Sequence, residues 1–148
     1  MKIAIVSGKA EGPTKLNAFD NALTNAGIGD LNLIKVSSML AKNTKIVKLP
    51  KLTAGKMVNC VLAHHSSNKK GETIYASVAI AFGDNLGCVA EKSGYMENIN
   101  SVRDDVIAMV KYMMDIRGEN INELIVEDIH HEVKNIGSVI SSVVYIEE

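Results

Sequence analysis

Two stretches of this sequence carry helical periodicity, and they stand in a chain that otherwise reads as strand after strand. The order is strand, helix, several strands, helix, two strands. Two helices are too few to cover both faces of a parallel sheet built from crossover units, so the pattern predicts an α+β domain of stacked layers with mostly antiparallel sheets. Segments such as "VAIAF" (Val78 to Phe82) and "SVVYI" (Ser142 to Ile146) are apolar on both faces. Stacking sheet on sheet, or subunit on subunit, would bury them. A chain of 148 residues suits a single domain spanning 1-148, and with no Trp and 4% aromatic residues its core is built from Val, Ile, Leu, Met and Ala.

Local signals place the elements. Lys2 to Ser7 is a first strand. In "TKLNAFDNALTNAG", Leu16, Phe19, Leu23 and Ala26 recur at helical spacing, with Thr14 able to cap the start and Gly27 able to end the helix in a left-handed conformation. Leu31 to Val36 is almost wholly apolar and predicts an inner strand, whereas Ile46, Val47 and Leu49 form a brief one interrupted by Pro50 and Gly55. "MVNCVLAHH" and "TIYASVAIAFG", joined by the polar "SSNKKGE", predict a hairpin, and "NLGCVAEKS" adds a third strand. Val102 to Arg117 returns to helical spacing, with Val102, Val106, Met109, Val110, Met113 and Met114 on one stripe. Ser101 and Asp104 are spaced as a capping box at its start. "NELIVEDIHHEV" and "SVISSVVYIEE" are two further strands around the turn Lys134 to Gly137.

Several function classes are disfavoured. Sixteen basic against 17 acidic residues, a net charge of -1, give no field that would attract nucleic acid or an anionic membrane. Cys60 and Cys88 are far apart and embedded among apolar residues, which predicts buried free thiols in a reducing cytosol and no disulfide or thiolate metal site. The apolar run in "MKIAIVSG" is too short for a signal-peptide core or a membrane span, so a cytoplasmic location is expected. His64 and His65, like His130 and His131, are adjacent on strands and point to opposite faces, which makes a shared metal awkward. "SGKAEG" lacks the full phosphate-binding pattern. No metal is expected.

The strand "NLIKV" ends on Ser37 and Ser38. Serines at a strand exit ordinarily cap a turn. The pair also permits another chemistry: the Ser38 hydroxyl can attack the Ser37 carbonyl, exchanging the amide for an ester. Elimination from that ester leaves dehydroalanine at position 38, which hydrolyses to a pyruvoyl group whose ketone is an electrophile of the Schiff-base class.

The block "EGPTKLNAFDNALTNAGIGDLNLIKVSSML", Glu11 to Leu40, contains this pair and resembles the N-terminal signature of pyruvoyl-dependent arginine decarboxylase. The likeness continues through "IVKLPKL", "GETI" and the helix ending at Arg117 and Gly118. It implies an αββα sandwich that cleaves itself into 1-37 (β subunit) and 38-148 (α subunit), the latter beginning with a covalent pyruvoyl group derived from Ser38. It implies a homo-oligomer, a trimer or dimer of trimers of processed αβ units, with active sites between neighbouring subunits. The substrate would be a small basic amino acid, arginine, decarboxylated to agmatine, with the pyruvoyl group as electron sink in place of pyridoxal phosphate. Carried over residue by residue, Asp20 would meet the guanidinium, Leu23 would line the pocket, Asn32 would orient a carbonyl or the substrate carboxylate beside the cleavage site, and Glu91 would return a proton. The ordinary alternatives are a solvent-exposed helix carboxylate for Asp20, a turn-side cap for Asn32 and the polar face of an edge strand for Glu91. A pyruvoyl decarboxylase of another amino acid, or an unprocessed homologue serving as a binding or assembly module, remain the competing functions. Where the family commonly has proline soon after the serines, this chain reads "SSMLAKN".

Overall fold

The computed structural model describes residues 1–95 and 98–146. In chain order the elements are β1 (Lys2–Glu11), α1 (Lys15–Asn25), β2 (Asn32–Lys35), β3 (Met39–Ala41), β4 (Lys45–Ile46), β5 (Met57–Ser67), β6 (Thr73–Phe82), β7 (Leu86–Tyr95), α2 (Ile99–Asp115), β8 (Glu123–Glu132) and β9 (Gly137–Ile146). They form a five-stranded sheet, β2-β5-β9-β1-β4, and a four-stranded sheet, β3-β7-β6-β8. The long pairings are antiparallel, and parallel pairing occurs where β2 joins β5 and β4 joins β1.

Period-two alternation distributes the apolar residues into layers. Val61, Ala63, Val139 and Val143 of the first sheet meet Ile74, Ala76, Val78, Ile80 and Val89 of the second. The opposite faces of those strands are covered by helices: Cys60, Leu62, Ile140 and Val144 pack under α1 with Ala22, Leu23 and Ile28. Ala79, Ala81, Cys88 and Ala90 pack under α2 with Val106, Val110 and Met114. The result is the expected layered αββα sandwich, and both cysteines are buried free thiols. No helix among the described residues is long and apolar enough to cross a membrane.

The first helix follows its local signals. The Thr14 hydroxyl accepts from the Asn17 N–H, and Gly27 at φ 87° allows Gly27 N–H to reach the Thr24 carbonyl and Ile28 N–H the Leu23 carbonyl, both at 3.0 Å. This is the paired closure that a left-handed residue after a helix provides. Leu16, assigned by spacing to the covered stripe, is instead 74% exposed.

Three other expectations are corrected. The segments predicted as a hairpin, β5 and β6, lie in different sheets, because both are apolar on two faces and each is satisfied by one helix and the opposing sheet. The connection at 68–72 therefore passes between layers. The strand predicted as inner, β2, is an edge strand in this chain, with Ile34 42% exposed. The capping box at Ser101 and Asp104 is absent: α2 begins three residues earlier, where the Asn98 side chain accepts from the Asn100 N–H at 2.9 Å. On that helix Met114 is fully buried, whereas Met109 is 43% exposed and fills no core space.

Candidate active site

Three residues carry the chain from the first sheet to the second at the exit of β2. Val36 still belongs to the first, its N–H donating to the Cys60 carbonyl at 2.9 Å, whereas the Ser38 carbonyl already accepts from Val89 N–H of β7 at 2.8 Å. Ser37 and Ser38 therefore form the crossing itself, Ser37 exposed and Ser38 half-buried. Among the described residues no main-chain N–H donates to the Ser37 carbonyl, so the donor expected to polarise that carbonyl is found on the next one along. Met39 then enters β3, opposite Cys88 of β7. The Tyr145 hydroxyl, from the end of β9, donates to the Met39 carbonyl at 2.9 Å.

A cleft of about 250 Å³ opens beside Ser37, lined by Val36, Met39, Asn59 and Tyr145 together with Met1. It adjoins a larger groove of about 470 Å³ that shares Met1, Asn59 and Tyr145 and extends to Pro50, Leu52 and Ile146.

Glu91 stands two residues beyond Val89 on β7, so both side chains leave the same face of the sheet. Glu91 is exposed within one chain, yet desolvation at this end of the sheet pushes its carboxyl above the ordinary value, and the Lys35 ammonium at the end of β2 opposes that rise. Lys35 also acts on the Cys60 thiol, which burial pushes up. Lys35 and Tyr145 were not among the residues singled out from sequence. Lys35 had a faint signal, as a cation in an otherwise apolar strand immediately before the serines; Tyr145 is separated from them by more than 100 residues and had none.

Within one chain the remaining candidates lie elsewhere. Asn32 begins β2, and five residues of extended chain, about 16 Å, separate it from Ser37. Its amide N–H donates to the Gly55 carbonyl at 2.9 Å, so here it acts as a turn-side cap. Asp20 is exposed on α1, and its neighbour Phe19 meets His64 in a tilted ring contact with centroids 4.9 Å apart. Leu23 is 8% exposed and packs between α1 and the first sheet instead of lining either cleft. The histidines are separated as expected: His131 faces Glu11 at 2.6 Å while His130 is exposed, and no group of three or more potential ligands among the described residues could hold a metal.

The family model described as pyruvoyl-dependent arginine decarboxylase matches residues 2–148. A protein of that name from Methanothermobacter thermautotrophicus is 56% identical over 147 residues, covering 99% of this chain and 97% of the relative. One from Methanocaldococcus jannaschii is 35% identical over 138 residues, covering 91% and 83% respectively. Among solved structures, a pyruvoyl-dependent histidine decarboxylase superposes with a TM-score of 0.52 at 13% identity, over 66% of this chain and 53% of that one, a likeness of fold. With the serine pair at the crossing between two sheets and a family match that runs almost end to end, the chain belongs to the pyruvoyl-dependent arginine decarboxylases.

Proposed function

We propose that the chain cleaves itself between Ser37 and Ser38 and, with the pyruvoyl group that Ser38 becomes, decarboxylates L-arginine to agmatine and carbon dioxide. The observation that carries this is the position of the serine pair: a crossing between two sheets, bent at Ser38 and exposed at Ser37, in a chain 56% identical to a pyruvoyl-dependent arginine decarboxylase. Such a crossing suits the reaction, because the new ends at 37 and 38 belong to different sheets and each stays attached to its own.

The pyruvoyl group supplies a ketone conjugated to an amide carbonyl, which engages the substrate amine and takes up the electron pair released with carbon dioxide. The amide carbonyl in question is that of Ser38, and Val89 N–H is already directed at it, a donor where negative charge develops. Glu91, its carboxyl raised by desolvation, holds a proton at neutral pH more readily than an ordinary glutamate and delivers it to the α-carbon. Asp20 pairs with the guanidinium and Asn32 orients the substrate carboxylate, while Leu23, buried between α1 and the first sheet, shapes the site only through the packing of that helix.

Because Asp20 and Asn32 lie away from Ser38 within one chain, a neighbouring copy supplies them, in a trimer or dimer of trimers. The exposed Ile34, Val36 and Met39 around the crossing are apolar surface that such a neighbour would cover. The free buried thiols accord with a cytoplasmic enzyme.

Intact-mass measurement after prolonged warm incubation tests the reading. The expected products are 1–37 and a pyruvoyl-blocked 38–148, with agmatine formed from arginine, and a Ser38→Ala chain that stays whole and inactive. A wild-type chain that remains uncleaved and inert sinks the proposal. Cleavage with turnover of a different amino acid keeps the chemistry and replaces the substrate.

A further inference from the structure

The segment that follows the scissile bond has few anchors. Strand β3 is three residues long and lies at the edge of its sheet, paired with β7 alone. Successive carbonyls of an extended strand point to opposite sides. The Ser38 carbonyl faces β7 and is taken by Val89 N–H, so the Met39 carbonyl turns away from β7, where no further strand can receive it. Tyr145 fills that position from the opposite sheet, donating its hydroxyl at 2.9 Å. Its ring packs against the core between the sheets, and its main chain pairs with Ile3 in the β1–β9 ladder, so the hydroxyl is held by rigid surroundings.

We propose that Tyr145 is a positioning residue: with Val89 N–H it clamps the Ser38–Met39 segment from both sheets, orienting the Ser37–Ser38 bond for self-cleavage and fixing the new chain end afterwards. The inference rests on the self-cleavage reading above. A chain end held by one short edge strand would otherwise fray. Burial pushes the Tyr145 phenol up, so it remains a donor throughout the neutral range. Tyr145 also lines the cleft at Ser37, which places the clamp in the wall of the site.

The test compares wild type, Tyr145→Phe and, as a control, Tyr112→Phe on the exposed face of α2. Cleavage is followed by intact mass, thermal unfolding is recorded, and amide exchange is measured in an uncleavable Ser38→Ala background with and without Tyr145→Phe. The expected result is cleavage slowed on the order of tenfold in Tyr145→Phe, the effect of one lost hydrogen bond on a barrier. The melting midpoint should be kept, and exchange should quicken only around residues 38–41. Tyr145→Phe cleaving as fast as wild type, with unchanged exchange, overturns the inference alone. So does slowing accompanied by faster exchange throughout the core, because that describes a lost packing role. If the wild type never cleaves, the pyruvoyl reading falls and takes this inference with it.

Discussion

Two connections that pass between the sheets are built in opposite ways. At the β8–β9 turn the chain is saturated with hydrogen bonds. The Glu11 carboxylate accepts from the N–H groups of Asn135 at 2.7 Å, Ile136 at 3.2 Å and Lys134 at 3.4 Å, and meets His131 at 2.6 Å. Val133 exchanges main-chain bonds with Gly71 and Glu72, and Gly12 donates to the Ile136 carbonyl. At the β2–β3 crossing, among the described residues, the two serines receive one main-chain bond, at Ser38, and the Ser37 carbonyl receives none. A turn that only reverses the chain is most stable with every polar group paired. A bond that must change its own connectivity needs its carbonyl accessible and its neighbours fixed, and the second crossing has that arrangement, with anchors at Val36, Ser38 and Met39. The lower saturation of the β2–β3 crossing is the arrangement that the proposed self-cleavage requires.

Variants can pull these two behaviours apart, since changes near the loose crossing should alter chemistry with little effect on stability and changes at the locked turn the reverse. The largest effect is expected for Glu91→Gln, which keeps shape and removes the acid: cleavage should proceed while kcat falls by roughly 10²–10⁴-fold. An undiminished kcat, measured by carbon dioxide release, would remove Glu91 from the mechanism. Asp20→Asn should follow, with KM for arginine raised roughly 10–100-fold through loss of a charge-assisted pair and self-cleavage unchanged; an unchanged KM would mean that another group receives the guanidinium.

At the locked turn, Glu11→Ala should cost about 2–3 kcal/mol and lower the melting midpoint by roughly 5–10 °C, with kcat of the folded enzyme preserved. Burial alone would raise the Glu11 carboxyl, but the hydrogen bonds from His131, Asn135 and Lys134 outweigh it and hold the group below its ordinary value. Its contribution is consequently present above the unfolded carboxyl value and disappears as pH falls through the lowered folded one. Unfolding measured against pH should thus show a shallower acid decline in Glu11→Ala, and equal slopes for the two proteins would contradict this account. The smallest effect belongs to Lys35→Met. Lys35 opposes the raised carboxyl of Glu91, so its removal should move the alkaline fall of kcat to higher pH. A shift to lower pH would show that the fall belongs to another group.

Much of this was legible locally. Thr14 and Gly27 bound the first helix through contacts within a few residues, and the runs Val78 to Phe82 and Ser142 to Ile146, apolar on both faces, correctly indicated strands covered on both sides. The serine pair was singled out by the block that contains it, Glu11 to Leu40, through its likeness to a known family, since adjacent serines alone read as an ordinary turn cap. Other features were misread for an identifiable reason. Two apolar strands joined by a polar turn satisfy the pattern of a hairpin equally well whether they pair or face each other across a core, and only the competition for partners sent β5 to β9 and β6 to β7 and β8. Asn98 and Ser101 both offer a capping side chain, and the structure selects the earlier one.

The sequence by itself determined most of the elements and their order and, through the block Glu11 to Leu40, the serine pair, since these depend on spacing along one strand or helix and on neighbouring residues. Only the tertiary structure decided that the pair spans two sheets, that Lys35 tempers Glu91, and that Tyr145 reaches the carbonyl beside the scissile bond. Those contacts join residues from 24 to 106 positions apart. Their geometry is set by how four layers stack, a property that no local pattern encodes.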